Sequence, residues 1–298
     1  MKIFDCFMYF DEDVVLDLRL NYLDKYIDKF IIIESKFNHK GEEREPLFKI
    51  KNFNKFEKKI VYILLDQQPS GIEQINSSDN NSEQTRKYIL NSIKRENSQR
   101  NGILKGLNDA SDNDWILISD LDEIPILENI NFNEINNKFL FFQQDMFYYK
   151  FNLKLNNIKW VGTKACKKIN LKNPQWLRNI KDKVYPWWRL DILFSENKYS
   201  DIKKINKGGW HFSYIKKAHS IEKKLKSYLH HREYDLNPIG EKTIQDLINN
   251  KKAIYNLKLD MRSWNKIGTG GDLSVIELDE LPEYISLNKN IFIDWIEK

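Results

Sequence analysis

Asp120 and Asp122 stand two apart, directly after the apolar run Trp115-Ile116-Leu117-Ile118-Ser119. On an extended strand, side chains two apart point the same way, so both carboxylates can reach one cation. Hard divalent ions such as Mn²⁺ or Mg²⁺ prefer oxygen ligands of this kind and can hold a diphosphate at the same time. A solvated acidic turn is the alternative. A phosphatase-type Asp-x-Asp-x-Thr would follow the first strand of the chain, and position 124 is Ile rather than Thr. That argues against phosphoryl transfer. In Gly208-Gly209-Trp210-His211-Phe212-Ser213, two glycines permit close backbone approach, and the imidazole of His211 could supply a third metal ligand. A hydrogen-bonded, half-buried histidine is the alternative. Arg95 and Arg100 could clamp a diphosphate through parallel hydrogen bonds. Helix-surface ion pairs, such as Glu96 with Arg100 at i,i+4, explain them equally well.

Other chemistries lack their residues. There is no Gly-x-x-x-x-Gly-Lys-[Ser/Thr] loop, no Gly-x-Gly-x-x-Gly after the first strand and no Gly-x-Ser-x-Gly elbow, so ATP hydrolysis, NAD chemistry and serine hydrolysis are unsupported. His230 and His231 are adjacent and belong to no His-Glu-x-x-His zinc pattern. Trp187, Trp188, Trp210 and Tyr214 suit the faces of sugars, although core packing would also account for them.

The elements that must position these groups alternate in the first half. Residues 2–9 read as a strand, 13–25 as a helix, 30–33 and 60–65 as buried strands, 67–82 as a polar loop with Pro69 and Gly71, and 83–107 as a helix broken near Glu96-Asn97. The strand at 115–119 follows. Apolar strands alternating with helices predict a mainly parallel sheet covered on both faces, with ligands bound at the strands' carboxyl ends. Glu34, Ser35, Asp66 and Asp120 to Glu123 lie at such ends. Residues 138–151 and 158–161 read as further strands, and 243–259 as a helix. Near 216–232, Ile221, Leu225 and Leu229 recur every four residues among lysines, as in a helix docked by one apolar stripe; attraction to an anionic membrane surface or acidic substrate is the other reading.

With 48 Lys+Arg against 43 Asp+Glu, the formal charge of +5 over 298 residues is too small and too dispersed for a nucleic-acid binder. The 41% of hydrophobic residues excludes wholesale disorder. Two cysteines, Cys6 and Cys166, form no disulfide framework. No apolar run reaches the roughly 18–20 residues of a membrane span, and the N-terminus does not read as a signal peptide, so a soluble, cytoplasmic protein is expected.

Taken together, the motifs resemble glycosyltransferase family 17. The segments that carry the likeness are Asp5-Cys6-Phe7, Leu18-Arg19-Leu20-Asn21-Tyr22-Leu23, Phe30-Ile31-Ile32-Ile33-Glu34-Ser35, Arg95 to Arg100, Ile118 to Pro125 and Gly209 to Ser213. It runs, with gaps, from about residue 3 to 235. The resemblance implies a GT-A-like α/β domain over 1–240, with a nucleotide-binding half to about 125 and an acceptor half from 126; by their own pattern residues 241–298 read as a helical extension packed on the same domain. It implies a Mn²⁺- or Mg²⁺-dependent, inverting transfer from a UDP-sugar, UDP-GlcNAc being favoured, to a glycan or lipid-linked glycan. Asp120 and Asp122 would hold metal and diphosphate with His211 as third ligand, Glu34 and Ser35 would lie near the uridine, and Arg95 and Arg100 near the phosphates. Glu233, in a segment resembling one downstream of the Trp-His motif, is the favoured base and Asp191 the second choice; surface ion pairs would explain both. A sugar-phosphate nucleotidyltransferase is a second reading, weakened by the lack of glycine in residues 1–30. A non-catalytic glycan-binding protein of the same fold is a third.

Overall fold

Ile31, Ile32 and Ile33 are β-branched, and their strand is fully buried on both faces. Around it the chain builds β1 (Ile3–Met8), α1 (Asp13–Leu23), β2 (Lys29–Ser35), β3 (Ile60–Leu65), α2 (Asn81–Asn101), β4 (Trp115–Asp120) and β5 (Glu123–Pro125). Then come β6 (Phe139–Tyr148), β7 (Leu153–Lys167), α3 (Pro174–Asn179), β8 (Ile202–Ile205), β9 (Gly209–Ser213), α4 (Ala218–Ser227), α5 (His231–Leu236), α6 (Gly240–Asn249), β10 (Leu273–Val275), α7 (Glu283–Leu287) and α8 (Lys289–Phe292). This computed structural model describes residues 1–183, 185–186, 188–192, 194–229, 231–257 and 266–298.

All ten strands join one sheet, ordered β3-β2-β1-β4-β7-β6-β9-β5, with β10 beside β7 and β8 beside β6. Strands β3, β2, β1 and β4 are parallel neighbours, β4–β7 and β6–β7 are antiparallel, and β6 runs parallel to both β8 and β9. The chain places β2 and β3 on one side of β1 and β4 on the other, so the β1–β4 boundary is a topological switch point, where such sheets open a crevice. Met8 pairs with Asp120 there. Phe7, Phe30, Ile32, Trp115 and Leu117 pack with α1 on one face, while Cys6, Ile31, Ile33, Ile116 and Ile118 form a core on the other. The two cysteines are buried free thiols. A mixed α/β single domain, with a mainly parallel sheet between helices, matches the expected class.

Two expectations change. Helix α2 runs unbroken through Glu96 and Asn97, starting where the Asn80 side chain accepts from Glu83 N–H, and gives way to a tighter turn only at Gly102. Residues 241–298 hold most of α6, then β10, α7 and α8; β10 pairs with β7, and Leu281, Ile285 and Phe292 join the core that α1 packs in. The helix expected over 243–259 stops at Asn249, and Leu259 lies outside the described residues. No helix among the described residues is long and apolar enough to cross a membrane.

Arg19, on the buried face of α1, fixes the acidic turn after β4. Its guanidinium grips Asp5 of β1 (2.5 and 2.8 Å) and donates to Ser119 Oγ and to the carbonyls of Asp120, Leu121 and Glu123 at 3.2, 3.0 and 2.8 Å. Both partners of the pair are fully buried. Arg19→Leu strands the Asp5 charge and takes the donor from the Asp120 and Leu121 carbonyls, leaving that of Glu123 with Thr163 Oγ1 alone, so it is expected to destabilise the fold by about 3–5 kcal/mol, read as a lower urea midpoint. Arg19→Lys, which cannot form the fork, should recover only part of that loss.

Candidate active site

A cavity of about 450 Å³ opens at the switch point. One wall is the carboxyl ends of β1, β2 and β4, contributing Met8, Ser35 and Asp120; the other is Met146 and Tyr148 of β6, Trp160 of β7 and His211 of β9. Lys224, Ser227 and Tyr228 close it from above.

Asp120 is held from two sides. Arg100 of α2 donates to Oδ1 at 2.8 Å and Arg178 of α3 to Oδ2 at 3.1 Å. Burial alone would raise this carboxyl's pKa, but the two guanidinium groups outweigh it and hold the group well below the usual carboxylate range. Arg178 also forks onto Glu123 at 2.7 and 3.0 Å, and the same carboxylate accepts from Trp160 Nε1 (2.7 Å) and the Asp120 backbone N–H (2.9 Å). Glu123 is fully buried. Its close packing requires Gly162, where a Cβ would sit 2.9 Å from the Glu123 carboxyl carbon and inside the Gln144 amide. Gly209, at φ +144°, leaves no room for a Cβ beside the Ile124 carbonyl, which is the close approach expected of that glycine pair.

Strand β5 pairs with β9 so that Glu123 lies opposite His211. His211 Nε2 is 3.5 Å from Asp122 Oδ1 and 3.1 Å from Ser213 Oγ, while its buried Nδ1 has no partner among the described residues. Burial opposes protonation of the imidazole, but Asp122, Glu123 and Asp120 raise its pKa above the ordinary value. Asp122 and His211 thus face each other with the oxygen and nitrogen donors that Mn²⁺ accepts. Both oxygens of Asp120 are engaged by arginines, and among the described residues no group of three or more His, Cys, Asp or Glu side chains is placed to hold a metal. The donor set fits a cation held by two side chains and completed by substrate oxygens rather than a closed protein cage.

The remaining expected residues divide. Ser35 lines the cavity, whereas Glu34 points to the opposite face, as neighbours on a strand must. Its carboxylate accepts from the N–H groups of Leu47 and Phe48 and from the Tyr62 hydroxyl, and pairs with Arg44 at 3.0 Å. Arg95 donates to Gln68 and to the carbonyls of His39 and Lys40, tying two loops together outside the cavity lining. Asp191 is exposed, bound to Arg189 and Lys198, and away from the lining. Glu233 is exposed on α5 and does not line the cavity, although its charge bears on Tyr228 and Tyr255, which do. Trp188 is exposed, Trp210 sits in the core donating to the Glu280 carbonyl, and Tyr214 reaches the cavity. Trp187 and His230 lie outside the described residues.

Sequence reasoning missed Arg178, Trp160 and the Glu12–Lys224 pair, and it gave Glu123 no role beyond its place at a strand end. Asn173-Pro174 was a readable signal for the helix carrying Arg178, since Asn173 caps it and proline suits its first turn. Nothing in the sequence pairs residue 12 with residue 224.

The fold thus gathers acidic groups and arginines around one cavity at its switch point. A family model described as glycosyltransferase family 17 matches residues 1–292, and the chain belongs to that family. The match takes in the C-terminal segment beyond residue 235, consistent with its place in the core. Compared with curated proteins individually, the chain matches none.

Glu12 and Lys224, 2.9 Å apart, brace the cavity between the β1 end and α4. Burial would raise the Glu12 pKa, but Lys224 and Lys216 prevail and bring it down to about 2. A carboxyl depressed from 4.5 to about 2 on folding stabilises the protein above pH 4.5 and loses that contribution as pH falls toward 2. Glu12→Gln should therefore flatten that part of the stability-versus-pH curve, removing on the order of 3 kcal/mol near pH 7 and little at pH 2, as measured by urea unfolding.

Proposed function

We propose that this family 17 protein is a GT-A-like, metal-dependent inverting transferase that moves a sugar, GlcNAc from UDP-GlcNAc in the favoured case, to a glycan or lipid-linked glycan. The observation that carries the reading is the meeting of Arg100, Asp120, Asp122 and His211 in one cavity at the β1–β4 switch point. Asp122 and His211 would hold a Mn²⁺ or Mg²⁺ ion, which supplies positive charge to the departing diphosphate. Arg100, whose buried Nε has no partner among the described residues, is placed to add charge-assisted hydrogen bonds as negative charge builds on the leaving group. Ser35 and the β1 end offer the nucleotide a wall, and Tyr148, Trp160 and Tyr214 offer the sugars aromatic surface.

The acceptor hydroxyl needs a base. Glu12 is a poor one, because a carboxylate with a pKa of about 2 gains little by taking a proton. Glu96 is paired with Arg100 at 3.0 Å, and Asp191 is bound to cations outside the cavity. Glu233 lies outside the cavity lining as Asp191 does, and it is kept as the base in this reading on the family resemblance alone.

Calorimetric titration with UDP, with and without Mn²⁺, tests the assignment. UDP binding that tightens at least about tenfold with Mn²⁺ and loses that gain in Asp122→Asn supports it. Metal-independent UDP binding removes the cation from the mechanism; no UDP binding at all, beside binding of glycans, favours a non-catalytic glycan receptor. Glu233→Gln should abolish transfer in a screen of nucleotide sugars while leaving UDP affinity unchanged, and retained turnover would remove Glu233 from the role.

A further inference from the structure

A second cleft, of about 330 Å³, lies beside α3 and has no aliphatic lining. Asn101, Asn173, Gln175, Trp176, Asn179 and Asn197 form it, with Lys172 and Glu196 at its edge. The four asparagines share one arrangement. Each side-chain oxygen is held by the protein: Asn101 accepts from Gln175 N–H (3.0 Å), Asn173 from Trp176 N–H (2.8 Å), Asn179 from the Gln175 amide (2.9 Å) and Asn197 from Ser195 Oγ (3.2 Å). Their four NH₂ groups have no partner among the described residues, and neither does the Glu196 carboxylate. The cleft therefore presents oriented donors together with an acceptor.

Trp176 is fixed between them. Its indole N–H donates to the Glu196 carbonyl at 2.7 Å, and its ring meets Phe139 and Tyr199 edge-on, so it is a rigid surface rather than a mobile one. The Lys172 ammonium lies 5.4 Å above it, on an exposed side chain that a ligand can displace. One cation and one anion at the rim balance, which selects against a strongly charged ligand. Amide donors, one carboxylate and an indole face are what a neutral sugar needs, since its hydroxyls both donate and accept and its C–H face stacks on aromatic rings.

We propose that this cleft is a saccharide-binding subsite, separate from the catalytic cavity, that holds a distal unit of the glycan acceptor. The two are joined by Gln175, whose oxygen accepts from Arg100 while its NH₂ donates to Asn179. Saccharide binding here does not depend on the transferase reading; only the assignment of the ligand as acceptor rests on it.

The test titrates the full chain, without nucleotide or metal, with linear trisaccharides of glucose, mannose, galactose and N-acetylglucosamine and, separately, with inorganic phosphate, following side-chain NH₂ and indole N–H signals by NMR. At least one trisaccharide should shift the Trp176 indole and asparagine signals. Each lost hydrogen bond should weaken binding about three- to tenfold, so the double variant Asn179→Ala/Asn197→Ala should lose at least about tenfold. Trp176→Phe, which keeps an aromatic ring beside Phe139 and Tyr199 but gives up the indole face and its bond to the Glu196 carbonyl, should also weaken it. UDP affinity should be unchanged in all variants. Binding of none of the trisaccharides, binding that survives both variants, or binding of phosphate alone would overturn the proposal. Failure of UDP to bind the unaltered chain would count against the transferase reading and leave the cleft's chemistry standing.

Discussion

The buried Asp5–Arg19 pair is the contact on which the site's geometry rests. A turn leaving the end of a parallel strand has carbonyls without ladder partners, and here three of them converge on one guanidinium. Burying an ion pair brings little net stability by itself, because desolvation offsets most of the attraction. What it supplies is direction. Five N–H groups in a rigid fork satisfy a carboxylate, a hydroxyl and three carbonyls at once. A lysine or an apolar residue could not do so, and the turn carrying Asp120 and Asp122 would lose its fixed relation to β1.

A second layer of charge sits on this frame. Glu123 is buried with Arg178 as counterion, and Arg178 extends from it to Asp120. Arg100 approaches Asp120 from α2. Asp120 is thereby kept ionised and its orientation set by groups from both halves of the chain, while Asp122 is left facing His211. The difference between the two aspartates follows from the pairing of β5 with β9, which carries His211 to the Asp122 side of the turn.

What could be read in the sequence were features that depend on local order. The strands at 30–33, 60–65 and 115–119, the helix after residue 13, the acidic turn and the paired glycines all lie where apolar runs and backbone requirements placed them. Glu34 and Ser35 show the boundary of that method. Both stand at a strand end, but the pleat sends one into the cavity and the other into a network with Arg44 and Tyr62, and only the three-dimensional register says which. Arg95 and Arg100 differ for the helical version of the same reason: five residues apart, they cannot share a face, and only Arg100 meets Asp120. Arg178 and Lys224 belong to pairs 58 and 212 residues apart in the chain, beyond any local pattern.

The wall opposite the acidic turn carries backbone strain. Tyr149 and Tyr214 adopt left-handed conformations, φ 65° and 54°, at adjoining positions where β6 and β9 leave the sheet. For bulky residues this costs on the order of 1–3 kcal/mol each. Simple chain reversal does not require tyrosine; glycine or asparagine would make the turn more cheaply. With tyrosine at 214, the ring stacks between Tyr148 and Tyr255 at interplanar angles of 16° and 30°, and these rings line the cavity together with Tyr228. Strain is thus held beside the wall that carries the tyrosine rings, opposite the acidic turn that Arg19 holds in place.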